Sequence, residues 1–311
     1  MPQAERPIRV TRAIASVVAA MLLFTVLDAM VKYLAARGYS TWQLVFCRSL
    51  FSFVVILPLV RAQGVRRALV TSRPLDHLFR GAVGMAALWC WFYAYRNIPL
   101  ADAYALSFSA PLFMTVLSVP MLGEHVGRHR WSAVLVGLAG VLIMVQPGGG
   151  VFDASALVVL LSAFLYALAI ILLRGLGATE TTLGTVFYFT LFCTVVSAAS
   201  LPFTGRLPQS WGDAGLLVAI GLLGGVAQLF LTEAYRCAPV SLVAPFDYSA
   251  MLWAVLLGMT VFGDRPGWPV LTGAAVVIAS GLYILHRETM RGAKNRPGGP
   301  GKGLPAPGAL V

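Results

Sequence analysis

Residues Ala94, Tyr95, Arg96 and Pro99 recur as Ala234, Tyr235, Arg236 and Pro239, and the same offset of 140 residues pairs Ser109 with Ser249 and Ala110 with Ala250. Without a gap it also pairs Leu112 with Leu252, Leu117 with Leu257, Gly123 with Gly263 and Gly127 with Gly267, and it sets Glu124 against Asp264. Upstream it joins Gly84 to Gly224 and Ala87 to Ala227. Self-similarity at nearly half the chain length marks a duplicated unit, and in an apolar chain a duplicated unit points to a carrier assembled from internal repeats.

Of the 311 residues, 59% are hydrophobic and 11% charged, whereas a soluble domain carries about 25% charged residues. So little polar surface cannot cover a water-soluble particle, and the chain reads as an all-α polytopic membrane protein. The four cysteines, Cys47, Cys90, Cys193 and Cys237, stand singly inside apolar runs with no CxxC. They read as small buried hydrophobes, and no metal site is expected from them.

Apolar runs of roughly 20 residues, the length a helix needs to cross a bilayer, fall at 12–35, 41–60, 78–95, 99–122, 130–146, 152–173, 182–203, 213–234, 239–262 and 268–286. Ten spans in two copies give five per copy. The breaks are signalled by Arg73-Pro74, Asn97-Ile98-Pro99, Gln146-Pro147 and Asp264-Arg265-Pro266-Gly267. The first span is too long for a signal-peptide core and holds Asp28 and Lys32, so it reads as a retained helix. The expected organisation is a short N-terminus (1–11), a first five-helix repeat (12–146), a second (152–286) and a basic disordered tail (287–311) rich in Gly and Pro.

With the N-terminus inside, the cytoplasmic face receives Arg6, Arg9, Arg12, the Arg61 to Arg80 group, Arg128, Arg130, Arg174, Arg236 and the tail residues. The opposite face receives only Arg37, Arg96, Arg206 and Arg265. The positive-inside rule then places both termini in the cytoplasm. The formal charge of +11 is accounted for by this asymmetry and needs no nucleic-acid partner. An odd number of spans per copy makes the second copy enter from the opposite side, the arrangement that lets two halves rock about one midplane site.

The paired segments resemble the EamA-type repeat of the drug/metabolite transporter superfamily. The likeness is carried by Ala110-Pro111-Leu112-Phe113 through Leu122-Gly123-Glu124, then Trp131, Gly137, Gly140 and Val141. In the second copy it is carried by Pro245-Phe246-Asp247-Tyr248 through Phe262-Gly263-Asp264, where Asp264 takes the place of the Glu common in the family. It extends from about residue 13 to 286. The resemblance implies a ten-helix inner-membrane carrier that moves small metabolites, often outward, through a central cavity between the halves.

A charge at the centre of a span costs about 2.5 to 3.5 kcal/mol on insertion scales, so retained charges face a cavity or one another. Asp28 and Lys32 stand four apart on one helical face, where they can pair or touch substrate. Arg48 either binds an anionic group or is neutralised by Asp28. Asp102 and Glu233 sit near span ends and read as snorkelling or solvated. Asp247, opposite Ser107 in the repeat, is the acid assigned to a substrate amine or to coupling protons. Pro111 and Pro245 interrupt spans four and nine, the corresponding elements of the two copies, and such interruptions point to a substrate site.

Aromatic pairs at helical spacing, Trp89 with Tyr93 and Tyr104 with Phe108, can each line a cavity together. Tyr248 follows Asp247 directly. Gly221 and Gly225 form a GxxxG packing face, and Gln228 on the following turn can hydrogen-bond substrate. The candidate substrate-binding or coupling residues are therefore Asp28, Lys32, Arg48, Trp89, Tyr93, Tyr104, Ser107, Gln228, Asp247 and Tyr248.

There is no HExxH, GxSxG or P-loop, and no catalytic residue or cofactor is expected. Expected partners are a small-molecule substrate, protons as coupling ion and the lipid bilayer, with a homodimer allowed. The functional expectation is a secondary-active exporter of an amino-acid-like, aromatic or zwitterionic metabolite. The alternatives are an uptake carrier for a flavin or nucleoside-like compound and, from other classes, a lipid flippase or a membrane-embedded enzyme.

Overall fold

The computed structural model describes residues 10–294 except 95–97, 123–127, 146–153, 178, 239–242, 244–245 and 248. Every expected span contains helix, and no strand occurs among the described residues. The helices are α1 (Val10–Ala36), α2 (Thr41–Gln63), α3 (Pro74–Ala94), α4a (Leu100–Ser107), α4b (Ala110–Leu122), α5 (Arg128–Val145), α6 (Ala154–Leu176), α7 (Thr182–Ala198), α8 (Trp211–Cys237), α9 (Ser249–Leu257) and α10 (Trp268–Lys294). A π-helical turn, Gly258–Phe262, extends α9. Five apolar stretches are each long enough to cross a bilayer, among them Thr41–Gln63 and Trp211–Cys237. The chain is a polytopic helical membrane protein. Large apolar side chains such as Leu135, Val195 and Leu252 stand exposed on its outside, as a lipid-facing surface requires.

One boundary differs from the sequence expectation. Helix α10 runs past Arg287 to Lys294, into the stretch expected to be a disordered tail. Between His286 and Lys294 no proline intervenes and most residues are good helix formers; Pro297 comes later. Residues 295–311 lie outside the described residues.

Local chemistry sets the helix starts. The Ser40 side chain accepts from the Gln43 N–H at the head of α2, and Thr181 accepts from Gly184 at the head of α7. These two helices lie five spans apart and share a hydroxyl cap, which satisfies an otherwise orphaned donor.

The helices pack by a rule of exchange. Helix α1 packs on α8 and α6 on α3; α2 packs on α8 and α7 on α3; α1 packs on α9 and α6 on α4. Replacing each helix by the one five spans later turns the first member of every pair into the second. The pairs α5–α10 and α2–α7 map onto themselves. The duplication read in the sequence is thus a pseudo-twofold relation in the packing.

Two glycines make the α5–α10 crossing close. A Cβ on Gly140 would lie 2.9 Å from the Gly273 carbonyl oxygen, and one on Gly273 would lie 2.5 Å from that of Gly140. Helices α2 and α8 meet in the same way at the GxxxG face, where a Cβ on Gly221 would collide with Phe51 and the Ser52 hydroxyl donates to the Gly221 carbonyl at 2.9 Å.

Span four is broken. Helix α4a ends at Ser107, Phe108 and Ser109 form a turn, and α4b begins at Ala110 with Pro111 in its first turn. The sequence places Pro111 inside a helix; the structure makes it the start of a new one, where its missing N–H costs little. In the second copy α9 is described from Ser249, one residue before the position that matches the start of α4b. Pro245 lies outside the described residues.

Candidate functional site

A cavity of about 180 Å³ lies between the two halves, bounded by side chains of α1, α2, α3, α4 and by those of α6, α7, α8 and Asp247. Its walls are mostly apolar and aromatic, including Phe24, Trp91, Phe108 and Phe189. Its polar groups are few: Asp28, Arg48, Tyr104, Ser107, Ser162, Tyr166, Gln228 and Asp247. A largely apolar pocket with a few converging polar groups is the usual form of a small-molecule site.

Two carboxylates anchor it. Asp28 Oδ2 accepts from the Tyr104 hydroxyl at 2.6 Å and from the Trp91 indole N–H at 3.0 Å. Asp247 Oδ2 accepts from the Tyr235 hydroxyl at 2.7 Å and, at 3.5 Å, from Tyr166. Asp247 Oδ1 is buried with no hydrogen-bond partner among the described residues. The two arrangements correspond under the helix exchange. An acid on α1 is held by an aromatic donor on α3 and a phenol on α4a. An acid just before α9, the counterpart of α4, is held by phenols on α8 and α6, the counterparts of α3 and α1. The acid and the phenol have changed places within the same helix pair.

Six of the candidates named from sequence line the cavity: Asp28, Arg48, Tyr104, Ser107, Gln228 and Asp247. Arg48 is 5% exposed and donates to Gln228 Oε1 at 3.4 Å. The Ser107 hydroxyl donates to the Tyr104 carbonyl at 2.7 Å, which steadies the end of α4a. Tyr248 lies outside the described residues.

Lys32 is a correction. It does not pair with Asp28; its Nζ lies 2.6 Å from Asp264 Oδ2 and 4.6 Å from the Phe262 ring centroid. Asp28 is turned instead toward α3 and α4a, where two donors meet it. Trp89 and Tyr93 are a second correction. They do share a face, stacked at 5.1 Å, but it turns to Trp42, 5.7 Å from Trp89, and away from the cavity. The cavity face of α3 carries Gly84, Leu88 and Trp91, spaced at about one and two turns.

Outside that candidate set stand Trp91 and Tyr166, which line the cavity, and Tyr235 and Arg80, which contact its lining residues Asp247 and Phe189. Tyr235 stood in the repeated Ala-Tyr-Arg, so the signal was present. Arg80, counted from sequence as a cytoplasmic-side charge, is 4% exposed and lies with its guanidinium 4.4 Å from the centroid of the Phe189 ring.

Comparison with known proteins agrees with the duplicated architecture. A model described as the EamA-like transporter family matches residues 11–146 and again 154–286. The chain is 32% identical over 268 residues to the pseudopaline exporter CntI of Pseudomonas aeruginosa, covering 86% of this chain and 93% of the relative. It is 30% identical over 261 residues to an S-adenosylmethionine uptake transporter of Rickettsia prowazekii, covering 84% and 88%. It is 29% identical over 279 residues to a riboflavin transporter of Vibrio cholerae, covering 88% and 93%. One solved crystal structure superposes with a TM-score of 0.67 over 92% of this chain and 99% of the other at 19% identity, a likeness of fold alone.

Proposed function

Since the chain belongs to the EamA-like transporter family, we propose that it is a secondary-active carrier which moves a small zwitterionic or aromatic metabolite through the cavity between its halves by alternating access. One observation carries this reading: two buried carboxylates, each held by phenol or indole donors, face one cavity from opposite halves. A carboxylate in a low-dielectric site attracts an organic ammonium or sulfonium group, and the surrounding rings add cation–π and stacking contacts.

Outward transport is the direction proposed, as in the relative named a pseudopaline exporter; uptake is the alternative, as in the relative named for S-adenosylmethionine. Asp247 is proposed as the group that exchanges substrate for a proton. Its Oδ1 has no hydrogen-bond partner among the described residues, so it can accept either a substrate N–H or a proton. The inner membrane and cytoplasmic termini remain the proposed placement, from the asymmetry of Lys and Arg.

The test is transport in vesicles reconstituted with the purified chain, loaded from either side with S-adenosylmethionine, riboflavin and amino-acid-derived metallophores. Unchanged solute crossing the bilayer supports the proposal, and the side that drives flux gives the direction. Chemical conversion of the solute, or translocation of lipid in place of solute, would replace it with the enzyme or flippase reading.

A further inference from the structure

Outside the carboxylate pair the most unusual group in the molecule is a pair of buried arginines. Arg48 on α2 and Arg80 on α3 are each more than nine-tenths buried. Their guanidinium groups and the Cys193 thiol lie within electrostatic reach of one another. Arg48 Nε, Arg80 Nε and Arg80 Nη1 are buried with no hydrogen-bond partner among the described residues. Arg48 lines the cavity; Arg80 packs over the ring of Phe189, which lines it too.

Nearby negative charge is short. Glu180 is taken by Thr71 at 2.9 Å and faces His77 at 3.5 Å. Asp28 acts on Arg48 but is itself held by Tyr104 and Trp91. Among the described residues no carboxylate lies within 4.0 Å of either guanidinium. Buried donors without partners are rare and ask for an occupant.

We infer that Arg48 and Arg80 form a carboxylate-binding subsite at one edge of the cavity, which takes the anionic end of the substrate while Asp28 and Asp247 face its cationic end. A guanidinium offers parallel N–H donors that match the two oxygens of a carboxylate. With two guanidinium groups and one nearby carboxylate, the region carries an excess positive charge that one carboxylate would neutralise. The inference deepens the transport reading and rests on it for the word substrate, but the binding it describes is measurable without transport.

The test is the thermal unfolding midpoint of the purified full-length protein, titrated in parallel with sodium acetate, acetamide and sodium chloride. Acetate should raise the midpoint saturably, acetamide of the same shape should not, and chloride should act at least tenfold more weakly. Arg80→Gln and Arg48→Gln should each weaken the acetate response tenfold or more, and Arg80→Lys, which keeps charge without the planar fork, should fall between. If a Gln variant fails to fold, Arg80→Lys against the wild type carries the comparison. No acetate response, an equal response to chloride (a counter-ion site only), or an Arg80→Lys titration identical to wild type would each overturn the inference. A failed transport panel beside a saturable acetate response would fault the transport reading and leave the subsite standing.

Discussion

Lys32 Nζ stands 2.6 Å from Asp264 Oδ2, so one side chain of α1 ties the first half of the chain to the turn that follows α9 in the second. Phe262 beneath the ammonium adds a cation–π contact at 4.6 Å. If the halves rock, a cross-half contact of this kind forms in one state and breaks in the other. Lys32→Ala and Asp264→Ala are each expected to favour the broken state, and the double variant should behave like either single, with a coupling of about 1 to 3 kcal/mol. The measurement is the labelling rate of Ser107→Cys by an impermeant maleimide on a background without the native cysteines. The rate should change several-fold in the variants; an unchanged rate would show that the pair only holds the structure together.

Tyr104→Phe removes the 2.6 Å hydrogen bond to Asp28. Hydrogen bonds to charged groups contribute about 1.5 to 3 kcal/mol, so apparent substrate affinity should fall roughly 10- to 100-fold. Trp91→Phe should cost less, because its bond is longer at 3.0 Å. Trp89→Phe, on the opposite side of α3, should leave KM within about twofold of wild type, and a loss there equal to that of Trp91→Phe would reject the assigned cavity face.

The α5–α10 crossing should tolerate no side chain at its centre. Gly273→Val puts carbon against the Gly140 carbonyl and against Met144, and backbone cannot swing aside as a rotamer can. The expected loss is about 1 to 3 kcal/mol or more, seen as a lower unfolding midpoint in detergent and a smaller monodisperse fraction. Gly175→Ala, whose Cβ would meet nothing within 4 Å, is the matched control.

Much of this was legible in the sequence because a charge in an apolar span has few reasons to be there. Asp28, Arg48 and Asp247 stood out on that ground alone, Gln228 by its place one turn after the GxxxG face, and the repeat offset placed Ser107 opposite Asp247. Pairing was less legible. Lys32 had Asp28 one turn away, and nothing local says that its partner lies 232 residues further on. The inward face of α3 was also hidden: Trp89, Trp91 and Tyr93 alternate within one helix whose surroundings are protein or lipid, both apolar, so periodicity does not choose between them. Arg80 was misread because counting basic residues near span ends registers position along the chain and takes no account of burial. The sequence also set Asp247 against a serine and made the halves unequal; the fold supplies the first half's carboxylate from another helix, as Asp28.

Orientation is open to a direct check. A single cysteine in the tail after Arg291 should react with impermeant maleimide only after the cells are opened, and one at Arg206 should react in intact cells. The reverse pattern would place the termini outside and undo the charge-based topology.

Asp247 is the residue proposed to carry both substrate and coupling. Tyr235 holds its Oδ2 at 2.7 Å while Oδ1 has no partner among the described residues. Asp247→Asn keeps the shape and removes the charge. The measurement is solute accumulation in proteoliposomes under an imposed pH gradient, with wild type and variant matched for folded protein. Wild type should accumulate solute against its gradient, whereas the variant should not, and its remaining downhill flux should no longer vary with pH. Wild-type accumulation and an unchanged pH profile in a well-folded Asp247→Asn variant would contradict that role.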